Sequence, residues 1–234
     1  MGVLKDIFAM FKKRELRFIE SYRESDQVHT FVFEKDKDLS WNAGQYGLIT
    51  ITHKKIKNGT KPFSLASAPA EEVVKLTTRI GETPSEYKKA LLELKQGMTV
   101  SMQGPVGSFH LQDRSPALLI AGGIGITPFR SMLKQLELEG NGAGRTIRLL
   151  HIDSDRSHLY RDELEGIASR ASIPATYVAS RDDAQREIDE FAARHADGIY
   201  YIAGPKSMVE SISTVLLVKK ISKRNIKKDA FFGY

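Results

Sequence analysis

Between about residues 14 and 112 short apolar runs recur, separated by turn-forming residues. HTFVFEK, YGLITITH, VVKLTTRI and MTVSMQG are rich in β-branched and aromatic side chains. That spacing predicts the strands of an antiparallel barrel or sandwich. One stretch breaks the pattern: PSEYKKALLELKQG predicts a helix opened by Pro84 and Ser85, apolar along Leu91, Leu92 and Leu94, and closed by Gly97.

After DRSPA the pattern changes. Short apolar runs (ALLIAG, IRLLHI, ATYVAS, IYYIAG) alternate with helical stretches (RSMLKQLELEG, YRDELEGIASR, AQREIDEFAARHA, KSMVESISTVLLVKK). Strand followed by helix, repeated, predicts a parallel sheet covered on both faces. Two domains are therefore expected: an antiparallel Greek-key β-barrel over 1–114, then a doubly wound parallel α/β domain over 115–234. At the start, Val3, Leu4, Ile7, Phe8 and Phe11 share one face of an expected amphipathic helix over 1–13. That face is expected to pack on its own barrel, with peripheral contact to a membrane surface as the alternative.

Composition narrows the chemistry. The 234 residues contain no cysteine, which excludes disulfides, thiolate nucleophiles and cysteine-held zinc or iron–sulfur centres. The six histidines include no pair at helical metal-ligand spacing, so no metal site is expected. No apolar run reaches the roughly 20 residues that span a bilayer. Lys5 and Asp6 interrupt the first apolar stretch, so no signal peptide is expected and the cytoplasm is the default location. The net charge is +6, concentrated in HKKIK (53–57) and KKISKRNIKK (219–228). Such runs form solvated faces or attract an acidic partner. They lack interleaved aromatics to stack on bases, so nucleic acid is not expected.

The strongest local signal is ALLIAGGIGITPFRSML. A buried strand ends at Ala121, followed by Gly122, Gly123 and Gly125, and then Thr127 and Pro128 open a helix. Glycines let a diphosphate approach the backbone, and the helix start offers free N–H groups to an anion. Thr127 is the expected N-cap and Pro128 suits the first turn. Such a turn also serves as a tight strand-to-helix connection. A related turn, YYIAGPKSM, follows a later strand through Ala203, Gly204, Pro205 and Met208.

In order along the chain, WNAGQYGLI, KPFS, GETPSEY, GPVGSF, AGGIGITP, AGPKSM and DAFFGY resemble the ferredoxin–NADP(H) reductase superfamily of flavoproteins, from about Phe18 to Tyr234. The resemblance implies FAD on the barrel and a nicotinamide coenzyme on the second domain. Lys61-Pro62-Phe63-Ser64 stands where the family has Arg-x-Tyr-Ser/Thr. Lys61 then faces a phosphate without the bidentate fork of arginine. Phe63 packs on the isoalloxazine, and Ser64 bonds near flavin N5. Gly81 and Ser85 take the flavin pyrophosphate, with Arg79 as a further cation. Ala203 replaces the family cysteine beside the nicotinamide. Asp229 replaces a glutamate there, Phe231 shields the flavin, and Tyr234 is an alternative shield. Ser180 and Arg181, with Arg156, resemble a 2′-phosphate site. NADPH is the expected coenzyme and NADH the alternative.

The implied activity is hydride transfer between nicotinamide C4 and flavin N5, with electrons passed to a separate acceptor. An acidic ferredoxin or flavodoxin suits the basic runs. The alternatives are reduction of a free flavin, quinone or other small acceptor, and a non-catalytic binding module that keeps the fold.

Overall fold

A computed structural model describes residues 12–231. By its internal contacts the chain divides into two units, Met1–His110 and Leu111–Tyr234. The helix expected over 1–13 lies mostly outside the described residues, and Lys13, its last residue, opens the first strand.

The first unit contains β1 (Lys13–Ser25), β2 (Val28–Glu34), β3 (Tyr46–Ile51), β4 (Thr60–Ser64), β5 (Val73–Arg79), α1 (Glu86–Leu92) and β6 (Thr99–Val106). Its six strands form an antiparallel sheet in the order β4-β3-β6-β1-β2-β5. Just beyond β4 the two edges are stitched together. Ala66 N–H donates to Lys75 O at 2.9 Å, and Lys75 N–H donates to Ser67 Oγ at 3.0 Å. Joining the edges leaves a barrel-like sheet with little open edge. Its interior is filled by Leu16, Phe31, Phe33, Ile49, Leu76, Val100 and Met102, all fully buried. α1 is shorter than the sequence predicts. Ser85 caps it, Tyr87, Ala90 and Leu91 are buried, and Gly97 lies beyond it at φ 86°. The Tyr87 hydroxyl donates to Ile49 O at 3.0 Å, fixing the helix to β3.

The second unit alternates strand and helix: β7 (Ala117–Gly122), α2 (Thr127–Leu138), β8 (Ile147–Ile152), α3 (Arg161–Ala171), β9 (Ala175–Val178), α4 (Arg181–Arg194), β10 (Ile199–Pro205), α5 (Lys206–Val218) and β11 (Ile226–Phe231). The parallel sheet runs in the order β11-β10-β7-β8-β9. The chain therefore winds outward from β7 through β8 and β9, then returns to the other side with β10 and β11. β7 is buried at all six positions, as expected of a central parallel strand. Arg130 of α2 is 3% exposed and grips Glu163 of α3 with two hydrogen bonds, of 2.9 and 2.6 Å. A nearly buried guanidinium needs that bidentate partner, so this pair clamps the two helices. β11 is a fifth strand that the sequence pattern did not pick out. No helix among the described residues is long and apolar enough to cross a membrane.

Candidate functional site

The order of the parallel sheet reverses between β7 and β10, and ligands of open α/β sheets bind at the carboxyl ends of strands at such a reversal. Two of the turns singled out in the sequence lie there. After β7 the chain enters a 3-10 turn over Gly123–Ile126 with Gly123 at φ 50°, then runs directly into α2. Thr127 is not the N-cap. It is already helical, at φ −57° and ψ −48°, and its Oγ1 donates back to Ile124 O at 3.2 Å. The 3-10 turn merges with the helix, so Ile126 occupies the cap position and Pro128 lies in the first turn.

The glycines of this turn have separate reasons. At Gly123 the backbone needs a left-handed φ, which glycine adopts freely, and a Cβ would meet nothing within 4 Å. At Gly125 a Cβ would stand 2.2 Å from Ala203 O and 2.7 Å from the Gly204 Cα. The turn after β7 is thus pressed against the end of β10. A Cβ on Gly122 would stand 2.4 Å from Met208 Sδ and 3.1 Å from Pro205 Cδ. Gly122, Gly125, Ala203, Gly204, Pro205 and Met208 form one packed cluster, and Gly123 is the one partly exposed residue of the turn. Ala203 is fully buried within it. Asp229 and Phe231 follow on β11, paired in register with Ala203 and Pro205.

Beyond the carboxyl ends of β8 and β9 lies a cavity of about 510 Å³, lined in part by Arg156, His158, Arg161, Tyr177, Ser180 and Asp183. It brings together Arg156 and Ser180 from the expected 2′-phosphate group, whereas Arg181, the first residue of α4, does not line it. Ser180 is the N-cap of α4. Its Oγ accepts from Asp183 N–H at 3.1 Å and donates to Asp183 Oδ2 at 2.6 Å. Arg161 is held by Glu165 at 2.7 Å, and its guanidinium carbon lies 4.8 Å from the centre of the Tyr177 ring. Burial pushes the Tyr177 phenol up to about 12, so it remains a neutral hydrogen-bond donor. His158, Arg161, Tyr177 and Arg186 were not anticipated, although the rule about carboxyl-end loops points to the segments that carry them.

At the end of β8, His151, Asp153 and His158 come together although the sequence spacing does not suggest it. All three are buried. Burial pushes the His151 imidazole down to about 4, so it is neutral near pH 7. Burial opposes the Asp153 charge. The Ser157 hydroxyl and the N–H groups of Asp155 and His158 nevertheless bring its pKa below the usual carboxylate value.

In the first unit, Lys61, Pro62, Phe63 and Ser64 form most of the edge strand β4, where a proline costs no ladder bond on its open side. Alternation puts Lys61 and Phe63 on one face, Pro62 and Ser64 on the other. Lys61 is exposed, while Phe63 and Ser64 are half-buried. The Phe63 ring stacks on Tyr87 with centroids 6.0 Å apart and planes 25° apart. Arg79 ends β5, the opposite edge of the same sheet, and Gly81 and Ser85 follow it. A Cβ on Gly81 would meet nothing within 4 Å, so the backbone there is open to a ligand. Ser85 already accepts Lys88 N–H at 3.4 Å as the helix cap. Tyr234 lies outside the described residues.

Each basic run has one lysine in an ion pair, and Lys55 and Lys57 of the first are exposed with no ion-pair partner among the described residues. In the first, Lys54 is paired with Glu93 at 2.7 Å. In the second, Lys219 is paired with Asp189 at 2.9 Å. Lys220, Lys223, Arg224 and Lys228 are exposed there and have no ion-pair partner among the described residues.

Residues 119–214 match the oxidoreductase NAD-binding domain family. Over 214 residues the chain is 30% identical to the reductase component of phenol 2-monooxygenase from Pseudomonas sp. (strain CF600), covering 84% of this chain and 59% of that protein. It is 31% identical over 208 residues to the electron transfer component of toluate 1,2-dioxygenase from Pseudomonas putida, covering 82% and 59%. The chain thus spans about three fifths of the length of these relatives. Among solved structures, ferredoxin-NADP+ reductase from Plasmodium falciparum superposes with a TM-score of 0.79 at 18% identity, covering 94% of this chain and 96% of that one. Flavohemoglobin from Malassezia yamatoensis, solved with bound FAD and heme, gives 0.77 at 18% identity, covering 97% and 63%.

Proposed function

We propose that the chain is a member of the ferredoxin–NADP(H) reductase superfamily that binds FAD on its barrel and NADPH on its parallel sheet. It would carry hydride from the nicotinamide to the flavin and deliver the electrons to a separate acceptor in the cytoplasm. The observation that carries this reading is the glycine turn at the sheet's reversal, partly exposed at Gly123 and opening directly into α2. Its N–H groups and the helix start would receive the coenzyme diphosphate.

Bound FAD supplies the chemistry that the side chains lack, accepting a two-electron hydride and releasing electrons one at a time. The side chains bind, orient and exclude water. The barrel edge suits such a group: Lys61 presents a cation and Phe63 a ring held flat by Tyr87. Ser64 would bond beside the reacting nitrogen. Arg79 and the open backbone at Gly81 would take the pyrophosphate. Gly204 and Pro205 would bound the nicotinamide subsite. Asp229 would stand beside that ring, and Phe231 would cover the flavin until the coenzyme arrives.

Arg156 supports NADPH as the coenzyme. It lines the cavity beyond β8 with no carboxylate partner among the described residues, leaving its guanidinium available to a 2′-phosphate. NADH is a second reading, favoured by Asp183, whose carboxylate shares the same cavity with Ser180 and would repel that phosphate. For the acceptor, the exposed cations Lys220, Lys223, Arg224 and Lys228 favour an acidic redox protein, such as a ferredoxin, a flavodoxin or an oxygenase component. The names of the two bacterial relatives point the same way.

The test is reconstitution. Purified protein incubated with FAD and freed of excess should hold about one flavin per chain. Anaerobic NADPH should then bleach it at lower concentration than NADH does. Retention of no FAD would overturn the flavin assignment, and equal or better reduction by NADH would overturn the coenzyme assignment.

A further inference from the structure

We propose that His151, Asp153 and His158 form a binding site for one divalent transition-metal ion of the zinc class. This site lies wholly within the second unit and does not depend on the coenzyme reading. One donor atom from each residue lies within 4.8 Å of the other two. The residues are 0%, 6% and 5% exposed, so the cluster is nine-tenths buried or more.

The hydrogen bonds around the cluster select the donor atoms. His151 Nε2 lies 3.1 Å from Gly123 O. A carbonyl can only accept, so Nε2 carries the proton and Nδ1 is left with a lone pair. That Nδ1 is buried without a hydrogen-bond partner, and so is His158 Nδ1. A ring with one N–H held by a backbone carbonyl and the other nitrogen bare has the hydrogen bonding of a metal-ligating histidine. Asp153 is oriented in the same manner. Oδ2 accepts from Ser157 Oγ at 2.7 Å and from His158 N–H at 3.1 Å, and Oδ1 accepts from Asp155 N–H at 3.2 Å. Oδ1 still has a lone pair to give.

Two unpartnered buried nitrogens each cost stability, and one cation satisfies both. Two imidazoles and one carboxylate suit zinc, nickel, cobalt or copper ions, which favour nitrogen donors, rather than magnesium or calcium, which want oxygens. Arg156 and Arg161 lie close on the cavity side and oppose a cation, though Arg161 is neutralised by Glu165 at 2.7 Å. Three protein ligands leave one coordination position for water or another oxygen. The ion would pin the loop that carries Arg156 into the cavity. In that loop Arg156, His158 and Tyr160 all have left-handed backbones, at φ 56°, 39° and 64°.

The experiment uses the full chain, free of any histidine tag, stripped with chelator and titrated with cobalt(II) under visible absorption. One equivalent should develop a ligand-field band that zinc then abolishes by displacement. H151Q and H158Q should each weaken cobalt binding by about tenfold or more, and the double variant should abolish the band. Circular dichroism and melting check that the variants fold. His158 lines the cavity, so H158Q keeps the test valid if H151Q does not fold. Absence of the band, as expected if the cluster holds only a water molecule, would overturn the proposal. So would a band that persists in the double variant.

Discussion

Replacing Gly125 by alanine tests whether the turn after β7 is pressed against the end of β10. The added methyl would stand 2.2 Å from Ala203 O, 2.5 Å from Ala203 C and 2.7 Å from the Gly204 Cα. Close carbon–oxygen contacts in proteins lie at about 3.3–3.6 Å. One side must therefore give by about 1 Å, and every atom in the way is backbone. β10 cannot easily give, because it is hydrogen-bonded on both sides, to β7 and to β11. Overpacking costs typically about 1–3 kcal/mol, and the lack of any flexible neighbour puts this case at about 3. For a chain of this size about 1 kcal/mol moves the melting temperature by about 2–4 °C, so Gly125→Ala should lower it by about 6–12 °C. Two controls separate sterics from backbone preference. Gly123→Ala meets no neighbour but must hold φ 50°, which should cost about 1–2 kcal/mol. Gly81→Ala meets no neighbour and its φ is not left-handed, so it should leave the melting temperature unchanged or slightly raised. If Gly125→Ala melted with the parent protein, or no lower than Gly123→Ala, the contact between the two turns would be refuted.

Tyr87→Phe removes the donor to Ile49 O in the barrel and should cost about 1–2 kcal/mol in urea denaturation, with the slope unchanged. Glu163→Gln breaks the bidentate hold on Arg130. Because Glu163 is 33% exposed, water relieves part of the loss, and about 2 kcal/mol is expected by thermal melting. Arg156→Ala should weaken NADPH binding by about ten- to a hundredfold in calorimetry, the worth of a hydrogen-bonded charge, and change NADH by much less. Equal loss for both coenzymes would remove Arg156 from the 2′-phosphate site.

The α/β half was largely legible because its signals reinforce one another. Each of its four helices carries an apolar stripe and follows a short apolar strand, as ALLIAG and IYYIAG do. β11 was missed because Lys227, Lys228 and Asp229 hide its apolar positions, and an edge strand needs few of them. β1 was missed for a related reason. Along KRELRFIESYRES only Leu16 and Phe18 are buried, and charged residues fill most of the outer face. The glycine turn was visible, but the division of labour within it was not. Gly123 and Gly125 look alike in sequence, and only the position of β10 shows that one serves conformation and the other close packing. Thr127 looked like a cap because threonine before proline commonly is one, and sequence alone does not reveal a 3-10 turn continuing into the helix. The His151–Asp153–His158 cluster escaped because a strand end and a left-handed loop bring it together, and no helical spacing marks it.

The most direct test of the central claim is anaerobic stopped-flow absorbance of the FAD-reconstituted protein mixed with NADPH, compared with NADPH deuterated at nicotinamide C4. The account predicts that the flavin absorbance bleaches in a rapid phase and that deuteration on one face of the ring slows it. A flavin that NADPH leaves oxidised, or bleaching indifferent to deuterium on either face even where chemistry limits the rate, would contradict direct hydride transfer.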